Sequence, residues 1–110
     1  MDLFTRKQGD TAYVLVLEFS DATGPLDLTT ATQIMFTMIA KDGSTKVHAA
    51  MTPLNQTTLR GQAQYAWQPT DLDTVGRFKC EARATFVGGL IAKWPSAEYG
   101  YLEVLKSLAA

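Results

Sequence analysis

Asp71 and Asp73 are the residues best placed by type and spacing to do chemistry, with Asp21 and Asp27 as further carboxylates at apparent corners of the chain. Two carboxylates close together suit a cation or a general acid–base pair. Asp71-Leu72-Asp73 nevertheless lacks the graded oxygen ligands and the glycine of a calcium loop. Carboxylates at corners also accept backbone hydrogen bonds as turn caps, and that is the role expected of them here. His48 and Cys80 are each the single residue of their type. A nucleophilic thiol needs a neighbouring base, and nothing in the sequence ties His48 to Cys80. No second His or Cys stands at metal-ligand spacing. Gln8-Gly9-Asp10-Thr11 has no Gly-Lys-Ser/Thr and no helix after it, so it does not read as a phosphate loop. Asp10 and Thr11 are instead expected to fold back onto the backbone at a bend. The expectation is therefore no catalytic residue, no metal and no cofactor.

The aromatic residues offer a different chemistry, stacking on a sugar or burial against a partner. Tyr65 and Trp67 alternate with polar Gln64 and Gln68, which assigns them to the core. Trp94, Tyr99 and Tyr101 flank Pro95 near the end of the chain. With Phe4 on the first strand, the residues Trp94, Pro95, Tyr99 and Tyr101 form the expected interface, favoured over a sugar platform.

The elements that must position these residues have a period of two. Residues 12–20 place Tyr13, Leu15, Leu17 and Phe19 on one face and Val14, Val16 and Glu18 on the other. Both faces are apolar up to Glu18, which predicts a central strand covered on both sides. Gly24-Pro25 punctuates the turn that follows. Residues 33–40 set Ile34, Phe36 and Met38 against Met35, Thr37 and Ile39. Asp42-Gly43 predicts a two-residue type I′ hairpin turn, with a return strand over 45–51. Residues 52–60 read as a loop and 61–68 as a strand. Phe78, Cys80, Ala82, Ala84 and Phe86 then alternate with Arg77, Lys79, Glu81, Arg83 and Thr85, the pattern of a strand with one core face and one solvated face. Small Ala82 and Ala84 leave room for a large side chain such as Trp67. Gly88-Gly89 predicts a second hairpin, and 100–105 a last strand. Seven or eight short strands with turns every 8 to 12 residues read as an antiparallel two-sheet sandwich.

The bulk composition sets limits on function. At 110 residues the chain suits one domain, over 1–105, with a short tail over 106–110. Hydrophobic residues at 46% against 19% charged supply a core and argue against disorder. Ten basic residues against eleven acidic give a net charge of -1, which argues against a nucleic-acid partner. No apolar run is long enough to span a bilayer, and the first residues lack a signal-peptide pattern, so synthesis in the cytoplasm and no membrane partner are expected. One cysteine allows no internal disulfide.

The ordered set Gln8-Gly9-Asp10-Thr11, Gly24-Pro25-Leu26-Asp27-Leu28-Thr29, Met35-Phe36 with Met38, Gly61, Tyr65-Ala66-Trp67 and Asp73-Thr74-Val75-Gly76-Arg77-Phe78 resembles the immunoglobulin-like N-terminal domain of phage baseplate upper proteins and related small phage and prophage structural proteins. Trp94-Pro95 and Tyr99-Gly100-Tyr101-Leu102-Glu103-Val104 match that family's ending. The likeness runs from Phe4 to Leu105 and rests on order and spacing, no single motif carrying it. Leu28-Thr29-Thr30 departs from it where the family often has a Gly. Gly76, Phe78 and Cys80 also resemble the start of a core strand in true immunoglobulin domains, without the tyrosine hydroxyl or the second Cys. The resemblance implies an all-β immunoglobulin-like sandwich and a virion structural protein. It would work in a tail, baseplate, collar or head-fibre assembly, binding copies of itself or other phage structural proteins. It supplies no catalytic residue. A carbohydrate-binding module and a capsid decoration protein are the alternatives.

Overall fold

The computed structural model describes residues 3–12, 14–95 and 99–108 of the chain. Its longest strand is the one with the cleanest alternation. Leucine-poor but strictly patterned, Gly76–Phe86 buries Phe78, Cys80, Ala82 and Ala84 and turns Arg77, Lys79 and Arg83 to solvent. All secondary structure among the described residues is β, in eleven strands: β1 (Leu3–Lys7), β2 (Leu15–Glu18), β3 (Ser20–Asp21), β4 (Gly24–Pro25), β5 (Ala31–Ile39), β6 (Thr45–Ala50), β7 (Thr52–Pro53), β8 (Gln62–Tyr65), β9 (Gly76–Phe86), β10 (Ile91–Trp94) and β11 (Gly100–Leu105).

The large sheet runs β1-β11-β9-β5-β6, with β10 also on β9, and the small sheet runs β2-β8-β7. β3 and β4 form a two-residue hairpin at a corner. β10 pairs with Ala82–Thr85 and β11 with Gly76–Cys80, so the two lie end to end along β9. The large sheet is mixed, because β1 pairs with β11 in parallel, Phe4 opposite Leu102. This corrects the purely antiparallel expectation. Parallel pairing needs no hairpin, and here the whole chain intervenes between the two strands.

One apolar cluster joins the inner faces of both sheets, from Leu15, Leu17 and Ala63 to Ile34, Phe36, Met38, Leu102 and Val104. Its centre is aromatic. Phe36 of the large sheet meets Tyr65 of the small sheet with ring centroids 5.4 Å apart, and Trp67 sets its edge against both at 6.0 and 5.3 Å. Such tilted and edge-on pairs are the favoured ring geometries. Ala82 is small because Phe36 and Trp94 flank it on either side within the sheet. The radius of gyration, 14.2 Å, is close to the ~13 Å of a compact chain this long.

Several local expectations need correction. β2 is an edge strand of the small sheet, not a central one, and Val14 and Val16 are each 41% exposed. An apolar residue on both faces does not by itself show that both are covered. The β5–β6 turn is not a two-residue type I′ turn. Gly43 N–H donates to Ala40 and Ala40 N–H donates to Ser44, leaving a three-residue loop with Gly43 at φ 91°. That is the three-residue hairpin, in which the glycine takes the left-handed position. Residues 52–53, expected in a loop, pair with β8 as β7. Tyr13 lies outside the described residues.

The corners carry the tightest constraint. Gly61 sits at φ 85°, and a Cβ there would lie 2.6 Å from the Phe19 carbonyl oxygen and 3.1 Å from Pro25 Cβ. Phe19 N–H donates to Gly61, and Leu26 N–H donates to Phe19. The Gln56 side chain completes the junction. Its Oε1 accepts from Leu28 and Gly61 N–H, and its Nε2 donates to Leu54 and Gln62. A second junction binds the Gln8-Gly9 corner to the Leu72-Asp73 corner, through Gly9 N–H to Leu72 and Gln8 Nε2 to Asp73. Motifs far apart in sequence thus meet at two places. Replacing Gly61 with Ala adds both a backbone clash and an unfavourable φ. We expect Gly61→Ala to destabilise the chain by about 2 kcal/mol or more, seen as a lower urea midpoint with an unchanged m-value.

Candidate functional site

Asp21, Asp27 and Asp42 are each bound up in their own turn. Asp21 Oδ1 accepts from Thr23 N–H at 2.8 Å and Thr23 Oγ1 at 2.6 Å. Asp27 holds Thr29 in the same way at 2.9 and 2.5 Å, and Asp42 holds Ser44 at 2.9 and 2.6 Å. Asn55 Oδ1 takes Thr57 N–H at 2.9 Å. The shared spacing Asp/Asn-x-Thr/Ser is a turn device in which a short side chain satisfies the backbone two residues on. It was visible in the sequence as a repeated pattern. Asp10 conforms in part, accepting from Ala12 N–H.

Asp71 and Asp73, the pair most suggestive of chemistry, point to different tasks. Asp71 is buried and accepts from the Tyr65 hydroxyl and from Gln68 N–H at 2.8 Å, tying β8 to the corner after it. Burial, aided by that carboxylate, pushes the Tyr65 phenol far above its ordinary range. Asp73 is exposed and ion-pairs with Lys46 at 2.5 Å. Among the described residues no group of three His, Cys, Asp or Glu is placed to hold a metal. Cys80 is buried in the core, and desolvation pushes its thiol up to about 12. His48 lies on the outer face of β6, its Nδ1 2.9 Å from Thr37 Oγ1. His48 and Cys80 therefore sit on opposite faces of one sheet.

The expected interface residues divide. Trp94 is a core residue, only 8% exposed, which removes it from the interface set. Gly100 makes room for it, since a Cβ there would meet the indole at 2.5 Å. Phe4 is half-buried against the same ring, with centroids 5.7 Å apart, so its apolar face serves the core as well. Pro95 is half-buried and follows a cis peptide bond. Tyr99 is 47% exposed under Lys79, whose Nζ is 5.1 Å from the ring centre. Tyr101 is half-exposed on the outer face of β11, with Arg77 6.0 Å from its ring. Sequence alternation alone could not separate Trp94 from Tyr99, because the interruption at 95–99 breaks the period.

Tyr99 and Tyr101 belong to the outer face of the large sheet, and that face is the candidate site. Along β9, β10 and β11 alternation places Arg77, Lys79, Arg83 and Lys93 there against Glu81 and Glu103, four cations to two carboxylates, and the pairing of β1 adds Lys7. The whole chain is net -1, so its acids lie mostly elsewhere, at the corners. Arg77 pairs with Glu103 at 3.1 Å. A groove of about 330 Å³ runs beside Tyr101, its apolar lining Ile39, Ala40 and Phe78 and its cationic lining Lys41, Arg77 and Lys79. A second, of about 360 Å³, opens on the other side of Lys79 toward Tyr99 and Glu81. Apolar and cationic linings and two tyrosines make a surface suited to binding.

The two kinds of aromatic residue should respond differently to truncation. Trp94→Ala is expected to lower stability by about 3–5 kcal/mol, whereas Tyr99→Ala should stay within about 0.5 kcal/mol; thermal unfolding of both variants checks the assignment. The corner carboxylates set the acid limit. The ordinary Asp value is 3.8, and Asp21, Asp27 and Asp42 are held below it chiefly by the Thr23, Thr29 and Ser44 hydroxyls, Asp73 chiefly by Lys46. A carboxyl whose folded pKa is depressed contributes stability above its unfolded pKa and loses it as pH falls. Urea midpoints should therefore be level from neutral pH down to about 5 and fall below about pH 4; a midpoint rising in that acid range would contradict the turn assignments.

Compared with known families and curated proteins, the chain matches no family model and no curated sequence.

Proposed function

We propose that this chain is a virion structural protein, a non-catalytic immunoglobulin-like building block of a phage tail or baseplate that acts through protein–protein interfaces. The observation that carries the reading is the strand order. An immunoglobulin sandwich of variable type groups strands G, F, C and C′ in one sheet and B, E and D in the other. β11-β9-β5-β6 and β2-β8-β7 follow the same two orders. Taking β10 and β11 as one interrupted strand and β3–β4 as a corner leaves seven strands paired antiparallel, to which β1 is added in parallel as an eighth, a count that fits this reading. The motifs that resemble the phage domains support the same reading, and those around Gln8-Gly9, Pro25–Leu28, Gly61 and Asp73 lie at the two junctions that hold the corners together.

The acids are engaged in turns, the cysteine is sequestered, and the outward chemistry is a cationic, tyrosine-bearing face. Those features favour association over turnover. In this reading the chain is made in the cytoplasm of the host bacterium, takes no cofactor, and acts in the particle as an oligomer or beside another structural protein. Tyr99, exposed beside a groove, favours a carbohydrate-binding module as the second reading. A glycan array probed with the isolated chain separates the two, since the structural reading expects no binding.

The deciding experiment is mass spectrometry of gradient-purified particles from the strain that encodes the chain, with heads and tails separated. Peptides of the chain should travel with the tail fraction. Recovery in heads alone would move it to capsid decoration, and its absence from particles whose other structural proteins are all detected would falsify the proposal.

A further inference from the structure

The two outer faces of the molecule differ in a way that points to each other. The large sheet presents the groove whose apolar lining is Ile39, Ala40 and the edge of core residue Phe78, with Lys41, Arg77 and Lys79 as its cationic lining. The small sheet presents Val14 and Val16, each 41% exposed, followed by exposed Glu18. Glu18 is the only charged residue of β2, and β8 adds only Gln62 and Gln64 to that outer face. β2 is also an open edge among the described residues, paired on one side by β8 alone. Its protection as an edge is limited to its shortness and the single charge of Glu18, with no Lys, no Pro and no bulge. An uncovered apolar edge of this kind invites association.

Building on the structural role proposed above, we infer that copies of this chain associate head to tail, the Val14–Val16–Glu18 strip of one seated on the Ile39–Lys79 groove of the next. Apolar residues meet the apolar lining, and Glu18 meets the cationic lining. Ile39 and Lys79 are direct neighbours across β5 and β9. Val16 and Glu18, two residues apart on one face, are spaced by about 7 Å, so the valine and the carboxylate reach the two linings together. The contact joins two different surfaces and is therefore heterologous. It closes into a ring or extends into a filament, according to the rotation it imposes. An isologous dimer through either face would bring like surfaces together, cations against cations on the large sheet.

A charge-swap series tests the pairing by light scattering and sedimentation at low salt, with circular dichroism to establish that each variant is folded. Lys79 and Glu18 are both exposed, so neither change disturbs the core. Wild type should self-associate, and less so as salt rises. Lys79→Glu and Glu18→Lys should each weaken association by about tenfold or more, since each sets like charges face to face. The double variant, or an equimolar mixture of the two single variants, should recover it. A wild type that stays monomeric at ~0.5 mM overturns the inference. So does disruption by Lys79→Glu with Glu18→Lys silent, which marks an isologous contact, or association untouched by either change. These outcomes are separate from the particle experiment. A chain found in tails yet monomeric loses this surface and keeps its structural role, whereas a chain that assembles head to tail but is absent from particles keeps the surface and loses that role.

Discussion

The Phe19 carbonyl oxygen stands 2.6 Å from where a Cβ on Gly61 would be, and the small sheet is organised around that contact. Only a glycine lets the chain entering β8 approach the end of β2 so closely. The approach sets the register of Leu15 to Tyr65 and Leu17 to Ala63. It also brings Leu26 and Leu28 within reach of Phe19 and Gln56, closing that end of the core. With β8 so placed, Tyr65 and Trp67 arrive over Phe36, and the two sheets are joined by rings rather than by a disulfide. Gln56 uses both ends of its amide in this junction, so one half-buried side chain satisfies four backbone groups.

A division of labour among the charges follows from that architecture. Asp21, Asp27 and Asp42 are held by a Thr or Ser two residues on, which spreads the acids over the corners. The cations stand on the outward positions of β9 and β10, where alternation sends every second side chain to one face. A chain with a net charge of -1 thereby acquires a cationic sheet face and acidic margins. The asymmetry is a product of turn chemistry and strand period together, and it lends the surface a direction without any reactive cluster.

Much of this was legible in residue order. The alternation of β9 announced its two faces, because a period of two with charge on one side has a single reading. The Gly43 and Gly88-Gly89 hairpins were visible for the same reason, since few residues accept positive φ. Which aromatics face outward was legible only in part. Trp94, Tyr99 and Tyr101 look alike as aromatics near Pro95, yet Trp94 is inward over Gly100 while Tyr99 and Tyr101 are outward. β2 was misjudged for a related reason. Val14 and Val16 are apolar, but whether a second layer covers a strand is decided by segments far from it in sequence.

By itself the sequence determined the local features: strand period, turn positions, the acid-holding corners, and a core held without disulfides. These depend on contacts within a few residues, where side-chain type and spacing suffice. Tertiary structure alone decided which strands became edges, that β1 joins β11 in parallel, that Gly9 docks on Leu72 and Gly61 on Phe19, and which aromatics remain outside. Those outcomes depend on pairs separated by tens of residues. There the burial of one side chain is set by the space another leaves, and no local pattern records it.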